Sequence, residues 1–250
     1  MITVSNLTHR IAGKDILHDI SLQIPKGQIT ALIGPNGAGK STLLSAIARL
    51  TPHQTGQIMV DELEVGTSAS NTLAKRLSIL PQVPEIAPRL SVAELIGFGR
   101  YPYHKGHPTK VDRQKTDEAI VLFELDELHS RPLDTLSGGQ KQRALLAMTY
   151  AQDTEYMLLD EPLNNLDIST SRSLMQLLRR LAETRGRTVV IVLHDINYAC
   201  SYADRIVTMK DGRIGRCGAP AKIVDAGMLQ HVFSTQAEVH IVNGRPLIEV

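Results

Sequence analysis

The sequence predicts an α/β fold with a parallel core sheet, a strand-rich first segment and an inserted block of helices. Three observations carry this expectation. An apolar strand, ITALI (Ile29 to Ile33), runs directly into the glycine-rich stretch GPNGAGKST and then into a helical run from Lys40 to about Leu50. Further on, YMLL (Tyr156 to Leu159) and TVVIVL (Thr188 to Leu193) flank a helical stretch carrying Leu174, Leu177, Leu178 and Leu181, which reads as a parallel crossover unit. Between these parts, from about Val83 to Asp153, helix signals replace strand signals.

In chain order, the first segment to about Leu80 offers the short strands ITVSNL, ISLQI, ITALI, QIMV and LSIL. The Pro-punctuated LPQVPEIAPR (Leu80 to Arg89) ends it. In the helical block, SVAE (Ser91 to Glu94), TKVD (Thr109 to Asp112) and SGGQ (Ser137 to Gln140) are helix starts. Each sets a hydroxyl three residues ahead of a carboxylate or amide, the pattern of a capping box. The TKVD helix is expected to reach about Leu125. Near the end, KDGR and VNGR put DG and NG between short strand candidates, which are hairpin signals.

Bulk properties narrow the function classes. The 250 residues suffice for one large domain with a substantial interior. With 27 Lys+Arg against 26 Asp+Glu, charge alone points to neither nucleic acid nor an anionic membrane. Cys200 and Cys217 lack CxxC or metal-ligand spacing and read as reduced thiols. The longest apolar runs, such as VVIVL, are too short to cross a bilayer. The start MITVSNLTHR has no signal-peptide core, so work at a membrane would require a partner to hold the chain there.

GPNGAGKS (Gly34 to Ser41) matches G-x-x-x-x-G-K-[ST], a pattern that arises by chance in roughly one such chain in a hundred. Its place between strand and helix is the one the mechanism needs. Gly34, Gly37 and Gly39 let backbone N–H groups face inward, with Pro35, Asn36 and Ala38 completing the loop, and the helix N-terminus adds a positive dipole end. Lys40 would reach the β/γ-phosphates, and Ser41, beside Thr42, would ligate Mg²⁺. YMLLDEP ends a buried strand on two carboxylates. Asp160 is expected near the Mg²⁺ shell, and Glu161 near the γ-phosphate as general base or water-orienting group. VLHD ends the next strand in His194, where ligands bind such sheets, and a neutral imidazole there could bond the γ-phosphate or the water. TKVD also fits the base-reading motif of GTPases, but it follows the turn-rich HKGHP and opens a helix, so it reads as a cap.

LSGGQKQR (Leu136 to Arg143) repeats the anion-binding design on a second helix. Ser137 is placed at the N-cap, Gly138 and Gly139 leave the first-turn N–H groups open, and Gln140 completes the box. Paired glycines weaken a helix start relative to alanine, so a ligand approaching closely would account for them.

Together GPNGAGKST, LSGGQKQR, YMLLDEP and His194, in this order and spacing, resemble the ATP-binding cassette (ABC) family over the whole chain. The resemblance implies one ABC ATPase domain over residues 1–250. Its P-loop NTPase (RecA-like) core, with an antiparallel β subdomain, would take residues 1–82 and 154–250, and an α-helical subdomain bearing the signature motif would take 83–153. It implies a head-to-tail homodimer in which Ser137, Gly138, Gly139 and Gln140 meet the ATP held by the partner's phosphate loop. It also assigns Gln82 to the Mg²⁺ or the attacking water, and Asp167, in NNLD, to the dimer interface. Where the family often stacks an aromatic on adenine, this chain has Ile11, for which apolar packing and weaker base preference are expected.

SVAELIGFGRYPYHKG (Ser91 to Gly106) and EPLNNLD resemble the ATPases of iron-siderophore, haem and cobalamin importers, and most of all those for ferric catecholate siderophores. That implies ATP and Mg²⁺, two membrane-spanning permease subunits, an extracytoplasmic binding protein acting indirectly, a peripheral place on the cytoplasmic face of the inner membrane, and no nucleic acid. The same resemblance implies a docking groove near Gln82, with Pro84, Ile86, Pro88, Leu90, Phe98, Tyr101 and Tyr103 close by. Leu95 and Phe98 are expected to pack the helical subdomain, and Tyr101 and Tyr103 to be exposed. Haem, cobalamin or metal-ion import, and a soluble non-transport ABC ATPase, stay open.

Overall fold

The structure, a computed structural model, describes residues 1–52, 55–82, 89–164 and 166–249. Its elements run β1 (Ile2–Ile11), β2 (Lys14–Ile24), β3 (Ile29–Ile33), α1 (Lys40–Ile47), β4 (Thr55–Val60), β5 (Leu63–Glu64), α2 (Ser70–Ala74) and β6 (Leu77–Leu80). Then come α3 (Val92–Phe98), α4 (Tyr101–His104), α5 (Lys110–Leu122), α6 (Gly138–Ala151), β7 (Tyr156–Asp160), α7 (Ile168–Arg185), β8 (Thr188–Val192) and α8 (Ile196–Tyr202). The chain ends with β9 (Arg205–Lys210), β10 (Arg213–Gly218), α9 (Pro220–Ile223), α10 (Ala226–Phe233), β11 (Glu238–Val242) and β12 (Arg245–Glu249).

The core sheet has the order β10-β9-β3-β8-β7-β6. Its pairs from β9 to β6 are parallel, and β10 joins antiparallel. Every residue of β3, β7 and β8 is buried, as expected for strands covered on both faces. Side chains alternate between the two covers. Ile29, Ala31, Ile33, Met157, Leu159, Val189 and Ile191 join a core shared with the helices. Leu32, Leu158, Val190 and Val192 face a second core, against α1 and the antiparallel sheet β2-β1-β4-β5. The crossover β7–α7–β8 is parallel, as the strand–helix–strand order implied, and Leu174, Leu177, Leu178 and Leu181 are all buried. Asp211–Gly212 and Asn243–Gly244 have positive φ throughout, which the type I′ turns of tight hairpins demand.

Between β6 and β7 the chain leaves the sheet for α3–α6. Each expected capping box is formed, at Ser91/Glu94, Thr109/Asp112 and Ser137/Gln140. Leu95 packs inside, but Phe98 does not: it is 53% exposed. Helix α3 buries Val92, Leu95 and Ile96, and Phe98 falls off that stripe. The GRYPY segment is tied inward. Arg100 is buried, and its guanidinium donates to Asp112 Oδ1 (3.1 Å) and to the Ala151 carbonyl (3.0 Å). The Tyr103 ring stacks 3.9 Å from the Arg100 guanidinium, and both Tyr101 and Tyr103 are exposed, as expected. Pro84, Ile86 and Pro88 lie outside the described residues.

Asp61, just after β4, ties the antiparallel sheet to the core. It accepts from the buried Tyr156 hydroxyl at 2.8 Å and lies 2.8 Å from Lys26 Nζ. Burial pushes its carboxyl up, but Lys26, the Met1 amino group and Tyr156 outweigh this and bring the pKa from 3.8 to about 2. The unfolded chain therefore takes up this proton at higher pH than the fold does. The resulting stability, about 2 kcal/mol, is full above about pH 4 and is lost as pH falls towards about 2. Asp61→Asn should flatten that part of the acid arm in urea melts. An equally steep arm in both proteins would place its source elsewhere.

Candidate nucleotide-binding and hydrolysis site

The glycine-rich loop leaves β3 and enters α1 without a side-chain cap. Gly39, the N-cap, has φ +95° and donates no capping group, so the first-turn N–H groups stay open. Gly34 is pressed against the chain: a Cβ there would sit 2.0 Å from the Met209 carbonyl oxygen. Lys40 is buried and donates to the carbonyls of Gly34 (2.8 Å) and Pro35 (3.0 Å), bracing the loop around itself. Burial lowers its pKa, partly opposed by Glu161 and Asp160. The loop lines a cavity of about 640 Å³, with Asn36, Gly37, Ala38, Gly39, Lys40, Ser41 and Thr42 on one side and Gln82, Glu161 and His194 on the other. That volume suits a nucleotide-sized ligand.

Ser41 donates to Asp160 Oδ1 at 2.9 Å, pairing a hydroxyl with a carboxylate at the end of β7. Burial raises the Asp160 pKa; the Ser41 hydrogen bond opposes this, while neighbouring Glu161 adds to it. A buried, partly uncompensated carboxylate beside a hydroxyl is a donor set suited to a hard divalent cation, which would supply the missing charge. Glu161 follows on φ +51° and is nearly buried. Its Oε1 lies 2.6 Å from His194 Nε2, and its Oε2 accepts from Gln82 Nε2 (2.6 Å) and Asn164 Nδ2 (2.6 Å). Burial pushes the carboxyl up, but donors from His194, Asn164 and Gln82 outweigh it and hold the pKa below the ordinary glutamate value.

The fold therefore brings together the phosphate loop, Asp160, Glu161, Gln82 and His194. It does not bring SGGQ there. Ser137, Gly138, Gly139 and Gln140 line a separate cavity of about 440 Å³ with Arg143 and Asp167. At that helix start Gln140 Oε1 accepts from Ser137 N at 3.0 Å. Asp167 caps α7, accepting from Thr170 N at 2.8 Å. Ile11 is half-exposed and is not among the residues lining the phosphate-loop cavity; Lys14 and Ile16 are. The sequence reading missed those two, at the start of β2, and also Asn164, whose only signal was its place three residues after Glu161.

Residues 17–164 match the family described as ABC transporter. The chain belongs to that family. It is an ATP-binding ATPase cassette, and its curated relatives extend the likeness to nearly the full length. It is 44% identical over 245 residues to a petrobactin import ATP-binding protein of Bacillus subtilis, covering 98% of this chain and 97% of that one. A petrobactin import ATP-binding protein of Bacillus anthracis is 46% identical over 239 residues, covering 96% of each. Among solved structures, a dimeric ATP-binding cassette in a post-hydrolysis state with ADP and Pi superposes with a TM-score of 0.79 at 30% identity, covering 88% of this chain and 98% of that one. Among the described residues no helix of this cassette is long and apolar enough to cross a membrane.

Proposed function

We propose that this cassette hydrolyses ATP to energise import of an iron-siderophore complex through partner membrane subunits. The observation that carries the reading is the near-full-length identity to two siderophore-import ATP-binding proteins. In this reading the chain is one ATPase domain, with residues 1–82 and 154–250 as nucleotide-binding core and 83–153 as helical subdomain. Two copies pair head to tail and sit peripherally on the cytoplasmic face of the membrane, bound to two permease subunits fed by an extracytoplasmic binding protein. The exposed Phe98 and Tyr101 belong to the face offered to those subunits.

The chemistry follows from the site. The loop from Gly34 to Gly39 receives the phosphates on open N–H groups, and Lys40 turns from its carbonyl partners to the β/γ oxygens. Ser41, Asp160 and Gln82 would hold Mg²⁺, which when bound neutralises the phosphate oxygens. His194 turns to the γ-phosphate, and Glu161, freed from it, orients the attacking water and takes its proton. Ser137 and Gly139, with Gly138 and Gln140, contact the γ-phosphate held by the partner copy, and Asp167 crosses the same interface. ATP then closes the dimer and hydrolysis opens it.

The test is uptake of radioactive iron from a panel of ferric siderophores, petrobactin included. The cells carry this gene intact or with Glu161→Gln as their sole copy. Loss of uptake of one siderophore in the variant is the expected result. Unchanged uptake of all would leave the ATPase and remove the siderophore assignment, turning the reading to haem, cobalamin or metal ions.

A further inference from the structure

Three side chains hold the Glu161 carboxylate, and they are not equivalent. Gln82 and His194 come from the ends of other strands and line the phosphate-loop cavity, so an incoming nucleotide offers both a second partner. Asn164 does not line that cavity. It lines a neighbouring, smaller one, of about 240 Å³, to which Glu161 and His194 also contribute. It also belongs to the same tight turn as Glu161: Asn164 N donates to the Glu161 carbonyl at 3.2 Å, and Asn164 Nδ2 to Glu161 Oε2 at 2.6 Å. The turn is pinned from outside by Gln142 of α6, whose amide donates to the Pro162 carbonyl at 3.1 Å. It holds Glu161 at φ +51°, a conformation uncommon for a residue with a side chain.

We infer that Asn164 is a positioning residue for hydrolysis: from outside the phosphate-loop cavity its amide fixes one carboxylate oxygen of Glu161, leaving the other for the attacking water. This rests on the reading of Glu161 as the base. The two oxygens divide the work. Oε2 keeps its Asn164 donor when Gln82 withdraws, and Oε1 is uncovered when His194 withdraws. Without Asn164 the long glutamate side chain would be free to rotate once nucleotide had drawn off its other two partners. Such loss of orientation slows the chemical step and not nucleotide binding.

Asn164→Leu keeps the approximate size and removes the donor, and Asn164→Ser restores a short one. In the full-length chain the Leu variant should lower kcat about 10- to 100-fold, with KM for ATP within about twofold and the nucleotide-free Tm unchanged. It should also accumulate an ATP-bound dimer on sedimentation, and the Ser variant should recover most of the lost kcat. A Leu variant with unchanged kcat, a loss confined to KM or matched by a fall in Tm, or equal losses in Leu and Ser would overturn the inference. Glu161→Gln in the same assays separates the two readings. If it turns over normally, the base assignment fails and takes the inference with it. If it is inactive while Asn164→Leu is normal, only the Asn164 inference fails.

Discussion

Glu161→Gln is expected to bind ATP, to lose about 10²- to 10⁴-fold in turnover, and to collect as an ATP-bound dimer. The substitution keeps the size of the side chain and removes its basicity. Glu161 sits within 2.6 Å of donors on three separate residues, so the carboxylate is already aimed and needs no rearrangement of the fold to act. An amide in its place cannot take the proton of the attacking water. Its N–H₂ end also meets one of those donors head-on, so one of the contacts inverts. The phosphate loop lies on the other side of the cavity and keeps its contacts, so nucleotide affinity should change little. Removing a negative charge close to bound phosphates should also favour the closed dimer, in which hydrolysis no longer intervenes. Sedimentation with and without ATP, beside steady-state turnover, reads both effects. Turnover near that of the parent would exclude Glu161 as the base, and a variant that stays monomeric in saturating ATP would contradict the composite-site proposal.

Local chemistry was legible in the sequence; contacts between distant segments were not. The boxes at Ser91, Thr109 and Ser137 each close within four residues, and all three form. The DG and NG turns are equally local. By contrast β1 and β2 run well beyond ITVSNL and ISLQI, because their mutual pairing extends strand geometry into the polar stretches around Arg10 and Asp15. Arg100, at the start of α4, is buried against Asp112 of α5, a contact that no periodicity announces. Phe98 could have been placed correctly from α3 alone, since Val92, Leu95 and Ile96 define a stripe that excludes it. In the candidate site, the phosphate loop and the DE pair were readable because each is a contiguous motif at the end of an apolar strand. That Gln82 and His194 converge on Glu161 depends on β6 and β8 both lying beside β7, an order set by the sheet as a whole. The donors that tune the carboxylate are therefore visible only once the strands are in place.

Lys40→Ala should abolish ATP-induced stabilisation and turnover together while leaving most of the fold intact. Two roles meet in this side chain. Its ammonium donates to the Gly34 and Pro35 carbonyls and so braces the loop around itself. Those carbonyls border a cavity open to water, so the structural cost of their release should be modest, about 1 kcal/mol for a hydrogen bond that water can replace. The ligand cost is far larger. Burial holds the Lys40 pKa down, and an arriving polyphosphate reverses that balance by offering the charged form a strong partner. Without the ammonium, the phosphates lose their one buried cation from this loop and rely on backbone N–H groups alone. ATP affinity is expected to fall by at least about 100-fold, the worth of one to two charge-assisted hydrogen bonds. Thermal melts separate the roles. The parent's Tm should climb with ATP as mass action requires, and the variant should start slightly lower and not climb. A variant whose Tm rises with ATP as the parent's does would remove Lys40 from the phosphate site, and one that is unfolded without nucleotide would show that bracing the loop is its main task.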